Sequence, residues 1–255
     1  MAGTYPVGVT RTPGETLALS TTVASLGIPP NVHQAILYNP SVDFRLHWNP
    51  RILDATFYDA SASVGARYID LTNSLLDRDT STGTGSTMNS MTTSDFLYVC
   101  VTDVISGVRV TIGNTNTGSA NTLKGEYWNG SWTNLSVTDN TSDATRTLNA
   151  SATVTWTAPT DWLAKGFQSL DTDIANTDRP VTNGFWLRFS VVTASLDSST
   201  SITELWTLNR DTNRGYFRAA VEYPISINRT LVGALEAILA AGTDTLQVTW
   251  VRTVY

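Results

Sequence analysis

The sequence predicts a mainly β protein, an antiparallel β-sandwich of jelly-roll-like kind with an irregular N-terminal arm and one short C-terminal helix. Three observations carry that expectation. Apolar residues alternate with hydroxyl residues at period two through several segments between residues 95 and 210, the pattern of strands buried on one face. Turn dipeptides separate these segments,. Polarity comes from hydroxyls rather than charges: Thr occurs 41 times and Ser 23 times in 255 residues, about a quarter of the chain.

Taken in order, residues 1–35 carry Pro6, Pro13, Pro29 and Pro30 and no sustained periodicity, so they are expected to form an extended arm lying on this chain or on a neighbouring subunit. Residues 36–229 are expected to form the sandwich core. It opens with Leu37-Tyr38, Phe44 to Trp48 and Ile52 to Tyr58, with Asn39-Pro40 and Asn49-Pro50 as turns. A small polar stretch, Asp79 to Thr87, reads as a loop,. Four inward rows follow: Val108, Val110 and Ile112; Ala152, Val154 and Trp156; Phe185, Leu187, Phe189 and Val191; Ile202, Trp206 and Leu208. Asn129-Gly130 predicts a two-residue type I′ hairpin that sets Tyr127 opposite Trp132,. Tyr216 to Val221 reads as a further strand.

Residues 230–255 are expected to form a helix and a terminal strand. Thr230 is placed as the N-cap, Leu231, Leu235, Ile238 and Leu239 share a helical face, and Gly242 stops the helix,. Leu246, Val248, Trp250 and Val254 then alternate along a closing strand.

Composition narrows the function. Sixteen Lys and Arg against 22 Asp and Glu leave a net charge of −6, which argues against a phosphate-neutralising nucleic-acid groove. Cys100 is the single cysteine, so neither a disulfide framework nor a Cys-rich zinc site is available. It reads as an inert thiol in an apolar strand. The first residues lack the basic and apolar regions of a secretory signal,, and no apolar stretch reaches membrane-spanning length. Assembly in a cytoplasm, with no membrane partner, is the resulting expectation.

Reactive constellations are weak. His33 and His47 are the only histidines, and neither accompanies a nucleophile motif. Glu126 and Glu204 lie in strands, and a glycosidase would need such carboxylates to converge. Asp171, Asp173, Asn176 and Asp178 offer hard oxygens but lack the Gly and terminal Glu of an EF-hand loop,, so an ordinary polar loop is preferred. Gly83 and Gly85 lack the following Lys-Ser/Thr of a phosphate loop,. No cofactor and no metal is expected, and the chain is read as not an enzyme. Of the eight Trp, Trp156, Trp206 and Trp250 are assigned to the core. Trp128, Trp162 and Trp186 are the candidate contacts for a glycan or a protein partner.

One order of residues is more specific. Tyr127-Trp-Asn-Gly-Ser-Trp-Thr-Asn-Leu-Ser-Val-Thr-Asp139 precedes Thr153-Val-Thr-Trp-Thr-Ala-Pro-Thr-Asp-Trp162 and Gly184-Phe-Trp-Leu-Arg-Phe189. This order resembles a module of virion structural proteins of tailed bacteriophages, over residues 95–210. The resemblance implies an all-β particle component with structural aromatics and no catalytic residues. The expected function is therefore a non-enzymatic virion protein located on the particle. A capsid decoration, or cement, role is placed first, with contacts to its own copies as a homo-oligomer and to other capsid or tail proteins. A neck, tail or fibre component that recognises host glycans is the alternative.

Overall fold

The structure, a computed structural model, describes residues 8–11, 14–21, 24–29, 31–39, 41–81, 85–88, 90–170, 182–209, 215–228, 231–239 and 241–254. The chain opens with β1 (Gly8–Arg11), β2 (Glu15–Leu19), β3 (Ala24–Gly27), β4 (Val32–Tyr38) and β5 (Phe44–Pro50). It continues through β6 (Ile52–Tyr58), β7 (Tyr68–Asp70), the short helix α1 (Thr72–Leu76), β8 (Ser86–Thr87), β9 (Phe96–Val101) and β10 (Ile105–Asn114). Next come β11 (Thr122–Trp128), β12 (Trp132–Leu135), β13 (Thr138–Asp139), β14 (Ala152–Thr155), β15 (Ala164–Gly166), β16 (Asn183–Val192) and β17 (Ser201–Asn209). It closes with β18 (Gly215–Phe217), β19 (Tyr223–Ser226), β20 (Val232–Leu239) and β21 (Asp244–Val254).

Two compact units divide these elements, one of residues 1–51 and 211–255 and one of residues 52–210. The second is thus inserted in the chain of the first, and the expected division at 35 and 230 is replaced by one at 51/52 and 210/211.

In the outer unit, β1 and β2 both pair with β21, followed by β4 and β19. The facing sheet runs β18, β5, β20, β3. Leu17, Leu37, Leu46, Leu235, Val248 and Trp250 are buried in one core drawn from both sheets. Residues 1–35 are therefore no irregular arm where they are described: they supply β1, β2, β3 and the start of β4. These strands are short and lie on or near sheet edges, where proline is tolerated, so proline density misleads there. Asn39 makes the β4–β5 turn as expected, its Oδ1 accepting from the backbone N–H of Ser41 at 3.0 Å and of Val42 at 3.1 Å.

The C-terminal helix is likewise corrected. Residues 232–239 form β20, pairing with β5 and β3. Leu235, Ala237 and Leu239 point into the core at period two, whereas Leu231 is 55% exposed. In this short apolar run the same residues satisfy both periods, and tertiary pairing decides. Gly242, at φ +77°, turns β20 into β21 instead of capping a helix.

The inserted unit has one sheet in the order β12, β11, β16, β9, β6, β7, with β15 also on β16, and another in the order β13, β14, β10, β17, β8. Their inner faces share a core that includes Phe57, Val99, Val108, Val154, Leu187 and Phe189. Three of the four expected inward rows hold. The fourth breaks because a register shift between Thr111 and Ile112 against β17 acts as a bulge. Ile202 and Leu205 point inward, while Trp206 pairs with Arg109 on the other face and is half-buried.

Counted within each unit, the strand order is the same. Taking β1 with β2 as the first strand, the outer unit pairs its eight strands as 1-8-3-6 and 2-7-4-5. Taking β8, β9, β10, β11, β12, β14, β16 and β17, the inserted unit does the same, with β6, β7, β13 and β15 added.

Candidate functional site

The aromatic residues gather on the outer face of the β12-to-β7 sheet. Alternation along β9 and β16 sends Leu97, Val99, Leu187 and Phe189 inward and leaves Phe96, Tyr98, Trp186 and Arg188 on the far side. The segment 164–170 folds over that face. Phe167 packs on Trp186 with centroids 4.7 Å apart and the rings tilted by 32°, and the Trp186 indole Nε1 donates to the Lys165 carbonyl at 2.8 Å. Beside this cluster the Arg188 guanidinium lies 4.1 Å from the Phe96 ring centroid and 4.5 Å from that of Trp132, a doubled cation–π contact.

Arg188 Nε donates to Glu126 at 2.7 Å, and Lys124 Nζ donates to the other Glu126 oxygen at 2.9 Å. Burial pushes the Glu126 carboxyl up, but the hydrogen bonds from Lys124 and Arg188 outweigh it and hold it below its usual range,. Glu204, on β17, faces Thr111 across the other sheet. The two strand glutamates occupy outer faces of opposite sheets and do not converge.

Of the three tryptophans singled out from sequence, two have little or no surface to offer. Trp186 is wholly buried under 164–170. Trp162 is buried in the inter-sheet core, edge-on to Tyr127 and Phe185, its Nε1 donating to the Trp186 carbonyl at 3.0 Å. Both are corrected as contact residues, since each indole spends its faces and its N–H inside the unit. Trp128 remains half-buried near the surface.

The hairpin carrying Trp128 also differs from expectation. Its loop has three residues, Asn129 to Ser131, with Gly130 at φ +112°, and Trp128 pairs directly with Trp132. A type I′ turn would need positive φ at Asn129 too. The one-residue change sets the two indoles edge to face, centroids 5.4 Å apart. Trp132 Nε1 is buried with no acceptor.

At the hairpin tip, Asp161 accepts from Tyr127 Oη at 2.8 Å and from Asn129 Nδ2 at 3.0 Å. The bonds from Asn129 and Tyr127 hold its carboxyl below the usual range. Leu163, 51% exposed, is tied to the hairpin by its N–H on the Trp128 carbonyl at 3.0 Å. Sequence reasoning missed Asn129, Trp132, Asp161 and Leu163 as one group. The available signal was the Asp-Trp dipeptide at 161–162.

His47 Nε2 lies 2.8 Å from Glu236 Oε2 across β5 and β20, and His33 is exposed on β4. Cys100 is buried and free. Gly83 and the 171–178 segment lie outside the described residues; Gly85 packs beside Thr203 and Ser201. Between the sheets of the inserted unit lies an apolar void of about 20 Å³ walled by Met88, Val110, Val154 and Phe189. Among the described residues no group of three or more His, Cys, Asp or Glu gathers to hold a metal ion. No helix among them is long and apolar enough to cross a membrane. No family model, curated protein or solved structure matches the chain.

Proposed function

We propose that this chain is a non-enzymatic structural protein of a tailed-phage virion, with capsid decoration or cement as its leading role. The observation that carries this reading is the strand order: each unit pairs its eight strands as 1-8-3-6 and 2-7-4-5, the path of a double-sheet jelly roll. That architecture recurs in viral capsid and lectin domains, so the support is by fold analogy. The aromatic order over residues 127–189 adds to it through its resemblance to virion modules.

In this reading the protein assembles in the host cytoplasm as a homo-oligomer on other virion proteins and uses no cofactor, nucleic acid or membrane. Open strand edges and hydroxyl-rich loops supply the contacts. The test adds purified protein to shells lacking it and measures their survival of heating and osmotic shock. A gain in shell survival is expected; shells equally fragile with and without bound protein would overturn the cement role.

A second reading, a neck, tail or fibre component that recognises host glycans, is favoured by the partly exposed Trp128–Trp132 pair at the hairpin tip. Binding to a glycan array tests it.

A further inference from the structure

We propose that Asn129 is a self-modification site: at the tip of the β11–β12 hairpin its side chain closes on the Gly130 backbone nitrogen and becomes aspartate or isoaspartate, while the fold keeps the second Asn-Gly dipeptide, Asn183-Gly184, intact. The reaction needs only water. The Gly130 nitrogen bonds to Asn129 Cγ, its proton goes to the departing amide nitrogen, and the Cγ–Nδ2 bond breaks to release ammonia. Water then opens the five-membered imide at one of its two carbonyls, giving isoaspartate or aspartate. Glycine admits this attack best, because no Cβ shields its nitrogen.

The sequence holds Asn-Gly twice, and the backbone separates the two. Ring closure requires the asparagine ψ to leave the extended region so that Cγ can reach the next nitrogen. Asn183 and Gly184 sit in β16, opposite Gly166 and Lys165 of β15. A Cβ built on Gly184 would meet Cys100 Sγ at 2.6 Å and the Val101 carbonyl at 2.8 Å, so β9 leaves the backbone no room for that rotation. Asn183 is exposed and Asn129 half-buried, so exposure alone would rank the two the other way. Asn129 and Gly130 lie beyond the last pair of the hairpin ladder, Trp128 with Trp132. Gly130 stands at φ +112°, with nothing within 4 Å of where its Cβ would be, so it has room to turn.

The polar neighbours of Asn129 bear on the step itself. Thr133 Oγ1 donates to Asn129 Oδ1 at 3.0 Å. Attack at Cγ puts negative charge on that oxygen, and a donor already in place stabilises it. Asp161 Oδ2 accepts from Asn129 Nδ2 at 3.0 Å. After conversion a carboxylate faces Asp161 where an amide donor stood, so like charges replace a hydrogen bond. The isoaspartyl product also adds one backbone carbon to a three-residue loop, against the register that pairs Trp128 with Trp132,. Conversion releases ammonia and runs one way, and it loosens the hairpin tip.

The test incubates the full chain in mildly alkaline buffer below its unfolding midpoint and follows the Asn129 and Asn183 peptides by mass spectrometry, with protein in concentrated urea as reference. In urea the two sites are expected to convert alike, since both are Asn-Gly in an open chain. In the folded chain Asn129 is expected to convert about tenfold or more faster than Asn183, and Thr133→Val to slow Asn129 by about tenfold. Folded protein that converts neither site, or both alike, would overturn the proposal, as would a preference for Asn129 that persists in urea. A folded Thr133→Val variant that converts at the wild-type rate would overturn the part given to Thr133. Converted protein is expected to show a lower thermal midpoint than fresh protein; an unchanged midpoint would overturn the loosening of the tip.

Discussion

Glu126 is a buried carboxylate held by two cations, and its protonation has a defined sign. Burial alone raises its pKa; the bonds from Lys124 and Arg188 lower it further than burial raises it. The folded value therefore lies below that of the unfolded chain, near 4.3. Its contribution is complete above the unfolded pKa and is lost as pH falls through the folded one. Resistance of the wild type to chemical denaturation is expected to fall progressively below about pH 4. Glu126→Gln should cost about 1–3 kcal/mol at neutral pH and show a shallower acid slope; parallel slopes would refute the assignment.

Cys100 offers an independent residue-scale probe. Burial first, and the Asp54 charge second, push its thiol far up, so a thiol-directed reagent should label it only as the inserted unit opens. Rapid stoichiometric labelling of native protein would contradict its place under the aromatic layer. Gly107 is a steric counterpart. A Cβ there would come within 2.6 Å of the Val154 carbonyl and 3.1 Å of the Thr155 Cα. Backbone cannot yield as a flexible side chain does, so Gly107→Ala should lower stability by about 1–3 kcal/mol, read by thermal or urea unfolding.

At the scale of elements, what the sequence disclosed depended on strand length and burial. β10 and β14 are buried mainly on one face, and their alternation located both the strands and their inward residues; in β16 the inward row was legible although Trp186 on the far face is buried as well. β20 has buried residues on both faces, with Ala234 and Glu236 buried opposite Leu235 and Ala237. Two-sided burial erases the alternation that distinguishes strand from helix. In β17 the bulge shifts the phase partway along, so a single inward row cannot describe it. The hairpin was legible as a hairpin, but its loop length was not, because Asn-Gly serves loops of two and of three residues. The site suffered accordingly: the Trp128–Trp132 pairing depends on that one residue, and Asp161 reaches the tip from 32 positions away. The burial of Trp186 was not legible because whether an indole meets solvent depends on what packs over it, and 164–170 is not a periodic segment; Trp162 lies outside the strands, so no alternation assigned it to the inter-sheet core. The strand assignment of β20 makes a sharp contrast. A helix would bury Leu231 and Leu235 together. The strand buries Leu235 and exposes Leu231, so Leu235→Ala should cost about 2–5 kcal/mol and Leu231→Ala within about 0.5 kcal/mol of nothing. Equal losses in urea denaturation would restore the helix.

For the molecule as a whole, the nesting sets what can fold alone. The outer unit draws β1 to β5 from one end of the chain and β18 to β21 from the other, so its core waits for chain separated by more than 150 residues in sequence, a slow, high-contact-order closure. The inserted unit has no such dependence: every strand from β6 to β17 pairs within it. Its two ends also lie near each other. Ile52 pairs with Val101 and Asn209 with Ile105, and four residue steps from Val101 to Ile105 keep the ends within about 25 Å. Close termini are what let a domain be inserted into another or cut out of it. Residues 52–210 expressed alone should therefore unfold in one cooperative transition and keep Cys100 protected from thiol reagents. Residues 1–51 alone should stay unfolded, because β4 and β5 lack the β20 and β21 partners that flank them in the sheets. Dispersed amide spectra for the first fragment and collapsed ones for the second are the expected pair. The reverse result, an unfolded 52–210, would mean that the two units fold as one cooperative body.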